Sequence, residues 1–130
     1  MSLNDSLANA LSTVMSSEQL GRNECLIKPV SRLIKDVFSV LKENHYLGDY
    51  EDVQEVRGNH VKLQLLGTIN KCGAVKPRYA VKKGDYEKFE KRYLPAKDVG
   101  ILIVSTPLGV MQHSEAKKKG IGGRLLAYCY

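Results

Sequence analysis

Leu3, Leu7, Ala10, Leu11 and Val14 recur at intervals of three and four positions. That period predicts an amphipathic helix from about Asn4 to Ser17, with Asn4 or Asp5 as its N-cap. After Gly21, the segment Glu24-Cys25-Leu26-Ile27-Lys28 reads as a short strand stopped by Pro29. Ser31 is placed to cap a second helix. Leu33, Ile34, Val37, Phe38 and Leu41 form its apolar face, and it ends near Asn44. Beyond Gly48 the period changes to two. Tyr50 to Arg57 alternates loosely, Gly58-Asn59 signals a tight turn, and Val61, Leu63 and Leu65 alternate with Lys62 and Gln64.

The stretch from Gly67 to Gly73 reads as a boundary. Past it, Ala74 to Val81 predicts a strand interrupted by Pro77. Asp85 is a candidate cap for a short helix with Tyr86, Phe89 and Tyr93 turned inward. Val99 to Val104 predicts a buried strand. Ser114 to Lys117 opens another short helix that Gly120 stops, and the residues from Leu125 to Tyr130 alternate as a final strand. The pattern gives an α+β protein of two small lobes. Residues 1–66 form an N-terminal α-β-α-β-β lobe. Residues 67–130 form a C-terminal lobe rich in β-strand, with short helices.

Charge sharpens that division. The 130 residues carry +6 overall. Residues 1–66 hold seven Lys/Arg against nine Asp/Glu, a net of −2, while residues 67–130 hold thirteen against five, a net of +8. A polyanion is therefore the expected partner of the C-terminal lobe. No apolar run approaches the roughly 20 residues that span a bilayer, and the first residues lack the pattern of a signal peptide. No membrane association is expected. Cys25, Cys72 and Cys129 are widely spaced and odd in number, a poor disulfide framework without zinc spacing. They are expected to be buried thiols. His45, His60 and His113 lack metal-ligand spacing, and no cofactor is expected.

The chemistry concentrates in Gly100 to Lys117, GILIVSTPLGVMQHSEAK. A buried strand ends in Ser105-Thr106, followed by stiff Pro107 and permissive Gly109. Then come Lys117-Lys118-Lys119, the glycines Gly122 and Gly123, Arg124, and the aromatics Tyr128 and Tyr130. Hydroxyls for base edges or 2′-OH groups, lysines for phosphates and rings for stacking make an RNA-reading surface. An acyl-CoA-dependent acetyltransferase is the rival reading, since Lys117-Lys118-Lys119-Gly120-Ile121-Gly122 imitates its basic-x-x-Gly-x-Gly pyrophosphate loop. The ten residues after Gly120 leave no space for the helix and strand it requires. There is no P-loop, and no Gly-x-Ser-x-Gly elbow makes Ser105 a nucleophile. No enzymatic activity is expected.

The order of these residues resembles the universal small-subunit ribosomal protein family numbered eight. Gly100, Ile103-Val104, Ser105-Thr106, Gly109, Val110-Met111, Ala116 and Lys117 fill every defined position of the family signature. Gly122-Gly123, the aromatic C-terminus, Asn4-Asp5 and Pro29-x-Ser31-Arg32 extend the resemblance along the chain. Asn70-Lys71-Cys72-Gly73 and Pro77-Arg78 resemble the archaeal and eukaryotic branch. The resemblance implies a cytoplasmic, ribosomal protein that binds an irregular helix in the central domain of small-subunit rRNA. It also implies contacts with neighbouring ribosomal proteins and support for subunit assembly. Repression of the protein's own messenger through the same surface is an alternative. By position, Ser105, Thr106, Pro107 and Gly109 would form the base-contacting loop. Gly122 and Gly123 would allow close approach, and Lys28, Ser31 and Arg32 would add phosphate contacts. The chain departs from bacterial members at Pro107, where they carry a third hydroxyl, and at Arg124, where they often carry an acid.

Overall fold

The computed structural model describes residues 6–28, 31–54, 60–96 and 99–130. The expected caps Asn4 and Asp5, the stop at Pro29 and the Gly58-Asn59 turn lie outside the described residues. The chain is a mixed α+β protein that divides into two compact units, Met1–Ile69 and Asn70–Tyr130.

The first unit contains α1 (Ser6–Gln19), β1 (Glu24–Ile27), α2 (Arg32–Glu43), β2 (Leu47–Val53) and β3 (His60–Leu65). Its three strands form an antiparallel sheet in the order β1-β3-β2. The sequence period decides what is buried. Leu7, Ala10, Leu11 and Val14 of α1 are buried, as are Ile34, Val37, Phe38 and Leu41 of α2. Ser31 caps α2 by accepting the Ile34 N–H on its Oγ at 3.3 Å, satisfying one of the orphan donors of the first turn.

The second unit contains β4 (Cys72–Ala74), β5 (Ala80–Val81), α3 (Tyr86–Tyr93), β6 (Ile101–Thr106), β7 (Gly109–Gln112), α4 (His113–Lys119) and β8 (Gly123–Cys129). The strands form one antiparallel sheet, β4-β8-β6-β7, with β5 also on β8. The expected strand from Ala74 to Val81 is instead two short strands that flank Pro77 and meet β8 at separate places. A proline cannot donate to the ladder, so pairing lapses around it. Asp85 stands at the N-cap of α3, but its side chain makes no capping hydrogen bond. Strand β6 starts two residues later than Val99, because Gly100 adopts φ +85°. A side chain at Gly100 would meet the Cys129 carbonyl and the Tyr130 Cβ.

Leu102, Val104, Met111 and Leu125 pack with Tyr86, Phe89 and Leu94 of the α3 region and Ala116 of α4. Both helices therefore lie on one face of this sheet. Gly73 is opposite Tyr128, and the Tyr128 ring covers the space a side chain there would need.

Candidate nucleic-acid interface

Strands β6 and β7 form a hairpin closed by only two residues, Pro107 and Leu108, since Thr106 pairs with Gly109. Pro107, Leu108 and Gly109 are exposed, and Leu108 retains 66% of its surface. Gly109 has φ +120°, a value that L side chains rarely adopt. The Thr106 hydroxyl locks this turn. Its Oγ1 donates to the Gly109 carbonyl at 2.8 Å and accepts the Leu108 N–H at 3.2 Å. Thr106 is 8% exposed, so its hydroxyl is committed to shaping the tip. Ser105 is half-buried on the opposite face of the strand.

Ser105 pairs with Val110 on one side and Arg124 on the other, and Arg124 pairs with Ala80. Cross-strand partners share a face, so a hydroxyl and a guanidinium lie side by side there. Arg124 is exposed, and its Nη1 donates to the Arg78 carbonyl at 3.3 Å. Gly123 and Gly122 admit the protein's own chain. A Cβ at Gly123 would strike the Ser105 carbonyl, and one at Gly122 would strike the Val81 carbonyl. The close approach they permit here is between β8 and its neighbours β6 and β5.

Connectivity carries the lysines to the same end of the sheet. Strand β7 leaves the tip, α4 follows at once, and β8 starts beside Ser105. Only two residues, Ile121 and Gly122, separate Gly120 from Gly123, so the end of α4 lies within about 10 Å of the start of β8. Gly120 ends α4 in the left-handed region at φ 66°, the usual glycine C-cap. Lys117, Lys118 and Lys119 occupy the last turn, where cations complement the helix dipole.

The three lysines are not equivalent. Lys117 Nζ lies 2.6 Å from Glu90 Oε1, and Lys119 lies 3.6 Å from Glu115. Lys118 has no ion pair among the described residues. Glu90 also receives His113 Nε2 at 2.7 Å. His113 Nδ1 accepts the Leu102 N–H at 3.0 Å, which leaves the proton of a neutral ring on Nε2. Burial pushes the His113 pKa down, and nearby Lys117 adds to that against the opposing pull of Glu90. Burial pushes Glu90 upward, but Lys117 and His113 together outweigh it and hold the carboxyl below its usual range. This cluster fastens α4 to α3 and spends much of the charge of Lys117 internally.

Two cations that sequence reasoning missed join the corner. Val81 pairs with Gly123, which puts the exposed Lys82-Lys83 turn next to the start of β8. The only sequence signal was a lysine pair before Gly84; the register that places it was not legible. Tyr128 is elsewhere on β8, four residues from Arg124 and so about 13 Å along the strand. It is half-buried against the core in a row of rings, 5.5 Å from Tyr93 and 6.4 Å from Tyr130. Lys28, Ser31 and Arg32 are exposed in the first unit, where the Ser31 hydroxyl serves as the α2 cap.

A rigid hairpin tip, a hydroxyl beside a guanidinium and a cluster of lysines make a surface for a structured polyanion. Residues 5–130 match the family described as Ribosomal protein S8. The chain belongs to that family. It is therefore a ribosomal protein that binds rRNA in the small subunit beside other ribosomal proteins, and its family is structural rather than enzymatic. No helix among the described residues is long and apolar enough to cross a membrane.

Proposed function

We propose that the corner built by the β6–β7 tip, Ser105, Arg124 and the end of α4 is the rRNA-contacting surface. Its target is an irregular helix of the central domain. Binding there supports assembly of the small subunit, in a protein of the archaeal or eukaryotic branch of the family. The observation that carries this reading is the convergence of four separate segments on one end of the sheet: the β6–β7 tip with Ser105, the Lys82-Lys83 turn, the end of α4 and the start of β8. The tip supplies exposed backbone at Pro107 and Gly109, shaped by Thr106. Ser105 offers a donor and acceptor for a base edge or a 2′-OH. Arg124, Lys118, Lys119, Lys82 and Lys83 neutralise phosphates, while Lys117 contributes mainly through its bond to Glu90. Gly122 and Gly123 act by allowing the strands to close on one another. Tyr128 supports the core beneath the surface. Lys28 and Arg32 add phosphate contacts from the first unit.

An irregular helix suits this shape. Regular A-form RNA hides its major groove from side chains, so sequence is read where bases are unpaired. Hydroxyl-radical footprinting of small-subunit rRNA with the full chain tests the reading. One bounded, irregular central-domain helix should be protected. Diffuse protection without such a helix would overturn it.

A further inference from the structure

We infer that Cys72 and Cys129 form an oxidisable dithiol, a modification site for peroxide that closes as a disulfide between β4 and β8. All three cysteines of the chain are buried thiols, and their spacing in sequence hides this relationship. Cys72 and Cys129 are direct cross-strand partners.

The hydrogen bonds on either side define the kind of pair. Lys71 donates its N–H to the Tyr130 carbonyl at 2.9 Å, and Tyr130 donates to the Lys71 carbonyl at 2.8 Å. Four residues further along the chain, Val75 donates to the Leu126 carbonyl at 2.9 Å. Antiparallel partners alternate between hydrogen-bonded and non-hydrogen-bonded pairs. Lys71 with Tyr130 is hydrogen-bonded, so Cys72 with Cys129 is not. In such a pair the Cα atoms approach to about 4.5 Å and the side chains share a face. A disulfide accepts Cα separations of roughly 4.4–6.8 Å. The backbone is therefore already within bridging range. Cys25 differs: it is opposite Leu63 on the other sheet.

Both sulfurs are shielded, Cys72 at 7% exposure and Cys129 at 0%. Access comes through β4, a three-residue strand at the sheet edge, and short edge elements open locally more readily than central ones. Hydrogen peroxide is the oxidant. One thiol attacks the O–O bond as its thiolate and becomes a sulfenic acid, releasing water. The second thiol attacks that sulfur, the S–S bond forms, and a second water leaves. Two thiols and one peroxide thus give one disulfide and two waters. The bridge ties the edge strand to β8 and encloses most of the second unit in one covalent loop.

The full chain treated with hydrogen peroxide, then denatured, alkylated and mapped by mass spectrometry, tests this. The expected result is a fall from three alkylatable thiols to one, with a Cys72–Cys129 linked peptide and Cys25 still alkylated. Cys25→Ser should keep the bridge, whereas Cys72→Ser and Cys129→Ser should each abolish it. Bridges through Cys25, disulfides between chains or sulfinic acid without a bridge would overturn the inference. So would three thiols surviving a dose that oxidises the same chain unfolded in urea.

Discussion

Thr106 shows how one buried side chain shapes an exposed turn. Its hydroxyl spans the two-residue turn, and its burial leaves Ser105 as the hydroxyl at the surface. The two residues should therefore respond differently to substitution. Thr106→Val removes the brace and strands the Leu108 N–H, so urea unfolding should show a loss of about 1–3 kcal/mol. RNA affinity should weaken with it, and Thr106→Ser should restore most of both. Ser105→Ala should leave stability near that of the parent and weaken rRNA binding in a filter assay by roughly 1–3 kcal/mol, the scale of one recognition hydrogen bond. The two hydroxyls were adjacent and equivalent in the sequence. What separates them is strand alternation combined with the turn, and the turn was hidden because Pro107-Leu108 lacks the Asn-Gly type of hairpin signal.

At the level of elements, α4 is tied to α3 and β6 by His113, Glu90 and Lys117. Acid should loosen this tie in two stages. His113 has a folded pKa below its ordinary 6.5, so between those two values the unfolded chain binds more protons and stability falls as pH drops. Glu90 is held below its ordinary 4.5. Its contribution is complete above that value and disappears as pH falls through the folded value. Thermal unfolding across an acid series should show both losses, and His113→Gln should remove the upper one while the lower one persists. A parent protein whose Tm stays level through the upper window would exclude this role for His113. The elements themselves were legible to different degrees. Helices α1 and α2, strand β6 and the Gly120 stop of α4 all follow from period and punctuation. Strand β7 was missed because four residues with a single buried side chain, Met111, carry too little period to register. The β4 and β5 pairings with β8 are long-range, and a local pattern does not encode a partner some fifty residues away.

Across the molecule, the charge difference between residues 1–66 and 67–130 was evident from composition, but its distribution was not. Glu90 offsets Lys117, whereas the pairing of β5 with β8 adds Lys82 and Lys83 to the corner. The aromatic terminus offered rings for stacking on bases, and the Tyr128 ring is half-buried against the core. The family signature was readable because its residues fix this geometry: Gly100 and Gly109 adopt positive φ, Ala116 packs in the core, and Lys117 holds Glu90. The central claim is that the basic corner meets the phosphate backbone of small-subunit rRNA. The salt dependence of filter binding tests it most directly, comparing the parent chain with a Lys118→Ala, Arg124→Ala double variant. The parent's affinity should fall steeply with salt as counterions are released. The folded variant should bind more weakly, with a slope shallower by about two, one for each cation no longer paired with a phosphate. Identical affinity and slope in a variant that keeps its fold would contradict the account.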